Sequence, residues 1–136
     1  MVPSEKFAAV DLSIFKEIKK LSGERIRQER KARHITQLEL ANNMGGSLRW
    51  LREIESGAPM TRLEDHLNAT LRLGISTGHI ALPILYAGHR MRFPQQLIYG
   101  DLAGIERKCI ETISEAVITA IKHDLSPEWR RSDATD

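Results

Sequence analysis

Residues 45–57 read GGSLRWLREIESG, and the division of this stretch decides the fold. Gly45 can adopt the left-handed backbone that ends one helix, and Ser47 is a good cap for the next. A helix then runs from Leu48 to Glu55, and Ser56-Gly57 closes it. In that register Leu51 and Ile54 stand three positions apart on one side and face inward. Leu48, Arg49, Arg52 and Glu53 form a stripe on the opposite side, with Trp50 at its edge. An ordinary wet face has no need of a tryptophan and two arginines. Ser47 also leaves the helix N-terminal amides near the surface, where their partial positive charge suits an anion.

The flanking sequence breaks into short helical segments. Ser22 reads as an N-cap for a helix to about Arg33, with Ile26 and Arg30 on one face. Thr36 and Glu39 have capping-box spacing, so a helix from Gln37 to about Met44 follows, burying Leu38, Leu40 and Ala41 in part. Ala41 lies where this helix and the next would cross. Ala58-Pro59 and Thr61 prepare a fourth helix, with Leu63, Leu67, Thr70 and either Leu71 or Leu73 inward and Gly74 just past its end. Residues 11–20 predict a helix with Leu12, Phe15 and Ile18 in a stripe. Ser76, Gly78, Pro83 and Gly88 limit residues 76–93 to one or two short helices. Residues 101–123 predict a long helix, because Leu102, Ile105, Cys109, Ile113, Val117, Ala120 and Ile121 recur at three- and four-residue steps.

Helices this short are not stable singly. The expectation is therefore an all-α, compact helical bundle. It divides into an N-terminal helical extension (1–20), a central domain (21–76), a C-terminal helical region (77–125) and a flexible tail (126–136) with Trp129 as an anchor.

Composition narrows the function classes. At 136 residues the chain allows one small domain with an appendage. A single cysteine, Cys109, argues against a disulfide framework and fits a reducing cytoplasm, where it reads as a small hydrophobe. There is no long uncharged apolar run and no signal-peptide core, so no membrane association is expected. The net charge of +2 is unevenly spread. Residues 16–52 hold ten Lys/Arg against four Asp/Glu, and residues 101–136 hold five against eight. A basic front and an acidic back suggest a polyanion partner at the front.

Residues 21–75 resemble the Cro/C1-type helix-turn-helix domain of the Xre family. The resemblance lies in GERIRQERKARHITQLELANNMGGSLRWLREIESG and LEDHLNATLRLGI, in spacing as much as in letters. It covers about two-fifths of the chain. It implies a lambda-repressor-like DNA-binding domain with helix 48–55 in the major groove of double-stranded DNA. Carried over position by position, Leu48, Arg49 and Glu53 would reach base edges, with Arg52 on the same face. Arg49 would fork onto guanine, Leu48 touch a thymine methyl and Glu53 accept from cytosine. Gln37, Ser47 and Trp50 would meet phosphate, although Trp50 reads equally as a brace against helix 37–44 or Arg25. Arg30 and Glu55 are positions the family pairs in a buried ion pair. A leucine and a tryptophan stand where the family has polar residues on the reading face, so base preference does not carry over.

The implied function is a sequence-specific transcriptional regulator, a repressor, acting as a homodimer on a palindromic operator. It would be cytoplasmic and nucleoid-associated. Leu102, Ile105, Cys109, Ile113, Val117 and Ile121 would form the dimer interface, which makes the C-terminal region an oligomerisation region. The alternative is a helix-turn-helix adaptor or antitoxin-like protein whose C-terminal region binds a partner protein. HIALPILYAGHRMRF, residues 79–93, leaves room for a small-molecule or protein effector. No enzyme, cofactor or metal is expected: there is no P-loop, GxGxxG or HExxH, and Ser47 has no His/Asp pair. His34, His66, His79, His89 and His123 lack metal-ligand spacing with Cys109 and read as surface or capping histidines.

Overall fold

Ser22 and Gly23, which read as a helix boundary, lie in the middle of a helix. The computed structural model describes Phe7 and residues 11–125. The expected tail and its Trp129 lie outside these residues. Among the described residues there are six α-helices and no strand: α1 (Ser13–Ala32), α2 (Gln37–Asn43), α3 (Leu48–Ser56), α4 (Leu63–Arg72), α5 (Gly78–Gly88) and α6 (Leu102–Leu125). A single 3₁₀ turn, Gln95–Leu97, precedes α6. The chain forms two compact units, one through Ile98 and one from Tyr99. The expected boundary at 20/21 falls inside α1, and that at 76/77 falls between two helices of the first unit.

The first unit is organised around α1, which packs on α3, α4 and α5, while α2 packs on α3. Its core joins Ile26, Leu40, Ala41, Leu51, Ile54, Ala69 and Leu73. Gly23 explains the close seat of α1 on α3. A Cβ there would lie 2.5 Å from the Ile54 carbonyl oxygen and 2.6 Å from that of Glu55. Ser22 is buried beside it in mid-helix, where it caps nothing and its hydroxyl meets His66. Of the two alternatives on α4, Leu73 is the core residue and Leu71 is exposed; Leu38 on α2 is also exposed, where partial burial was expected.

Two histidines are fully buried, against the surface or capping role read from the sequence. His66 of α4 bridges Thr61 and Ser22: Nε2 lies 2.9 Å from Thr61 Oγ1, and Nδ1 2.9 Å from Ser22 Oγ. Thr61 donates its only hydroxyl proton to the Ala58 carbonyl, at 2.6 Å. It must therefore accept from His66 Nε2–H, which leaves Nδ1 to accept from Ser22. The ring is thus neutral and fully satisfied. Burial, and then the positive charge of Lys19, push its pKa down to about 4. His79 of α5 is lowered to about 4 by burial and then by the charge of Arg25.

The second unit holds α6, 24 residues long. Ile110, Ile113, Val117, Ile118 and Ile121 on it are all exposed. No described helix is long and apolar enough to cross a membrane.

Candidate nucleic-acid interface

The connection between α2 and α3 is built from local chemistry. Thr36 and Glu39 form a reciprocal capping box at the start of α2, both bonds 3.1 Å. Gly45 ends that helix in the left-handed region at φ +71°, where a side chain would be strained. Ser47 Oγ then accepts from the Trp50 amide at 3.1 Å and caps α3. Gly57, also left-handed, closes α3.

On α3, Leu51, Ile54 and Glu55 are buried, while Arg49, Arg52 and Glu53 are exposed and Leu48 is half-buried. These four residues therefore share one accessible side of the helix. Arg49 and Glu53 pair along it at 3.5 Å, but the Arg49 side chain is 90% exposed, so the pair is loosely held.

Behind this face runs a chain of polar contacts. Arg30 Nε and Nη2 donate to the two carboxylate oxygens of Glu55, each at 2.9 Å. Arg30 Nη1 donates to the Ile35 carbonyl at 2.9 Å, which anchors the loop before α2. Gln37 Nε2 donates to Glu55 at 3.4 Å, and Gln37 Oε1 accepts from Arg52 at 3.3 Å. Arg30 and Glu55 are thus paired and buried. Gln37, expected at phosphate, links that buried pair to an arginine on the exposed face.

Trp50 is half-buried at the edge of this face. Its indole N–H donates to Asp65 of α4 at 3.3 Å. Its ring lies over Gly46, where a Cβ would come within 2.2 Å of it. The tryptophan also packs against the core cluster that holds Leu40 and Ala41 of α2, so it braces α3 against α4, the turn and the core. Neither contact has a local sequence signal, since Asp65 and Gly46 are brought to the ring by the packing of α4 and the turn. A further clamp was also missed. Arg72 of α4 reaches the end of α2, donating to Asn43 O at 3.1 Å and Asn43 Oδ1 at 2.9 Å.

The residues expected at a dimer interface differ in exposure. Leu102 is buried. Ile105 is half-buried, whereas Cys109, Ile113, Val117 and Ile121 are exposed. Among the described residues no group of His, Cys, Asp and Glu is arranged to hold a metal. The chain matches no protein-family model, no curated protein and no solved structure.

Proposed function

We propose that the chain is a sequence-specific DNA-binding transcriptional regulator of the Cro/C1 helix-turn-helix type, a repressor that binds a palindromic operator as a homodimer. The observation that carries this reading is the exposed side of α3. Leu48, Arg49, Arg52 and Glu53 stand together beside a capped helix N-terminus, on a helix held by a buried ion pair. Such a helix fits the major groove with its N-terminal residues at base edges. Arg49 supplies the fork that guanine O6 and N7 accept, and Glu53 supplies an acceptor for cytosine N4. Arg52, steadied by Gln37, adds a second cation on the same face. The surplus of Lys/Arg in residues 16–52 supports a general phosphate attraction.

One such domain makes few contacts, and a two-fold copy supplies a second half-site about one helical turn away. The exposed apolar side of α6 is the surface proposed for that pairing. The same surface also favours a second reading, an adaptor whose C-terminal helix takes a partner protein. A gel shift at varied salt, set against copurification of a partner protein, separates the two.

Selection from random oligonucleotides tests the main reading, with a palindrome expected. Arg49→Ala should then cost about 1–3 kcal/mol at one base position of the selected site. An equal loss on random DNA would reassign Arg49 to phosphate, and failure to enrich any sequence would sink the proposal.

A further inference from the structure

Along α6, Arg107, Ile110, Ser114, Val117, Ile121 and Asp124 follow one another at alternating steps of three and four. That is the seam spacing of a two-stranded coiled coil, in which seven residues make two turns. All six are exposed, and Ile110, Val117 and Ile121 are each at least half open to solvent. Ile113 and Ile118, also exposed, flank the seam, one on either side.

The two ends of this run carry opposite charge, and that decides which way a second copy can lie on it. In a parallel, in-register pair each seam residue meets its own counterpart. Arg107 would face Arg107 and Asp124 would face Asp124, two like-charge contacts at the seam. In an antiparallel pair Arg107 faces Asp124 of the second copy, and this happens at both ends. The same register lays Ile110 on Ile121 of the second copy and Ser114 on Val117, so every layer of the run is matched. Within its own chain Asp124 meets His123 at 3.7 Å, an exposed contact that is ionic only when the histidine is protonated.

We propose that α6 pairs with α6 of a second copy as an antiparallel two-fold coiled coil, its axis passing between Glu115 and Ala116. The proposal rests on the homodimer reading of the chain and names the orientation which that reading leaves open. At a rise of 1.5 Å per residue, the two copies of Leu102, where α6 begins, then stand about 40 Å apart. A parallel pair would hold them about 10 Å apart, the spacing of packed helices. The chain thus enters the antiparallel pair from opposite ends, with a separation on the scale of one turn of duplex, about 34–36 Å.

Disulfide trapping on the full chain in a Cys109→Ser background reads the orientation without DNA. Ile110→Cys alone should not crosslink under mild oxidation, because its two copies lie about 16 Å apart along the axis, beyond the roughly 7 Å between Cα atoms that a disulfide spans. Ile121→Cys alone should behave alike, whereas the two variants mixed and re-equilibrated should give the crosslinked heterodimer. In sedimentation Arg107→Glu and Asp124→Arg should each weaken dimerisation about tenfold, and mixing those two variants should restore it. All four substitutions fall at exposed positions of the second unit, so the first unit folds without them. Self-crosslinking of Ile110→Cys, a mixture that does not crosslink in a dimeric chain, or charge variants that dimerise like the wild type would overturn the antiparallel register and leave the homodimer standing. A full chain that sediments as a monomer would overturn both.

Discussion

Arg30 on α1 and Glu55 at the end of α3 stand 25 positions apart in sequence and meet as a buried, two-bond ion pair, both contacts 2.9 Å. The pair sits where Gly23 lets the two helices approach, and Gln37 extends it to Arg52. One polar contact thus fixes the helix angle and steadies a cation on the exposed face.

Removing one member should be worse than removing both. Glu55→Ala leaves a buried guanidinium whose remaining contact is the Ile35 carbonyl, and should cost about 3–5 kcal/mol in urea unfolding. The double variant Arg30→Met/Glu55→Leu replaces the pair with apolar volume and should recover much of that loss. If the double variant is as unstable as the two single losses added together, the desolvation argument is wrong.

Acid should weaken the fold through its two buried histidines. In the unfolded chain each takes up a proton as pH falls through 6.5, whereas His66 and His79 in the fold resist until about 4. The unfolded state therefore holds more protons between those values. Their contribution is fully present above pH 6.5 and is lost progressively toward pH 4, by at most roughly 3 kcal/mol per ring. Unfolding midpoints measured from pH 7.5 to 4 should show the decline, and His79→Phe should flatten part of it. A midpoint unchanged down to pH 4.5 would mean that neither ring is held neutral.

Some of this fold was legible in the sequence because it is local chemistry. The capping box of Thr36 and Glu39, the left-handed Gly45 and the Ser47 cap are each settled within four residues. The pairing of Arg30 with Glu55 has no such local signal and came from the resemblance alone. Where long-range packing decides, local cues misled. Ser22-Gly23 carries a helix-start pattern, but the glycine is there for the α3 carbonyls and the serine for His66. His66 and His79 look polar and hence exposed until Ser22, Thr61 and Ser76 are placed beside them. Leu71 and Leu73 are equivalent in composition, and only the orientation of α4 separates them.

Trp50 should prove a brace. In Gly46→Ala the new methyl would strike the indole ring, so a loss of about 1–3 kcal/mol is expected. Combined with Trp50→Leu, the same change should add little, which a double-mutant cycle measures directly. Trp50→Phe removes only the N–H that Asp65 accepts and should cost about 1 kcal/mol of stability. Its affinity for a selected operator should stay near that of the wild type. A large loss of affinity with stability intact would instead place the indole N–H on DNA.

The exposed side of α6 makes the last prediction. Ile113, Val117 and Ile121 recur at four-residue steps along one side of a helix whose residues from Arg107 onward are all exposed. A single helix that exposes this much aliphatic surface is marginal in water, and pairing with a second copy would cover it. A chain ending at Gly100 keeps the whole core around Ile26, Leu51 and Ile54 and should fold. By sedimentation it should be a monomer where the full chain is a dimer. Its affinity for a palindromic site should fall by about 10²–10⁴-fold, because the second half-site is no longer tethered to the first. Affinity for a single half-site should be unchanged, which separates lost pairing from a damaged reading helix. The full-length variant Ile113→Glu/Val117→Glu should behave like the truncation without removing α6. A truncated chain that remains dimeric would move the interface into the first unit and leave the α6 surface for another partner.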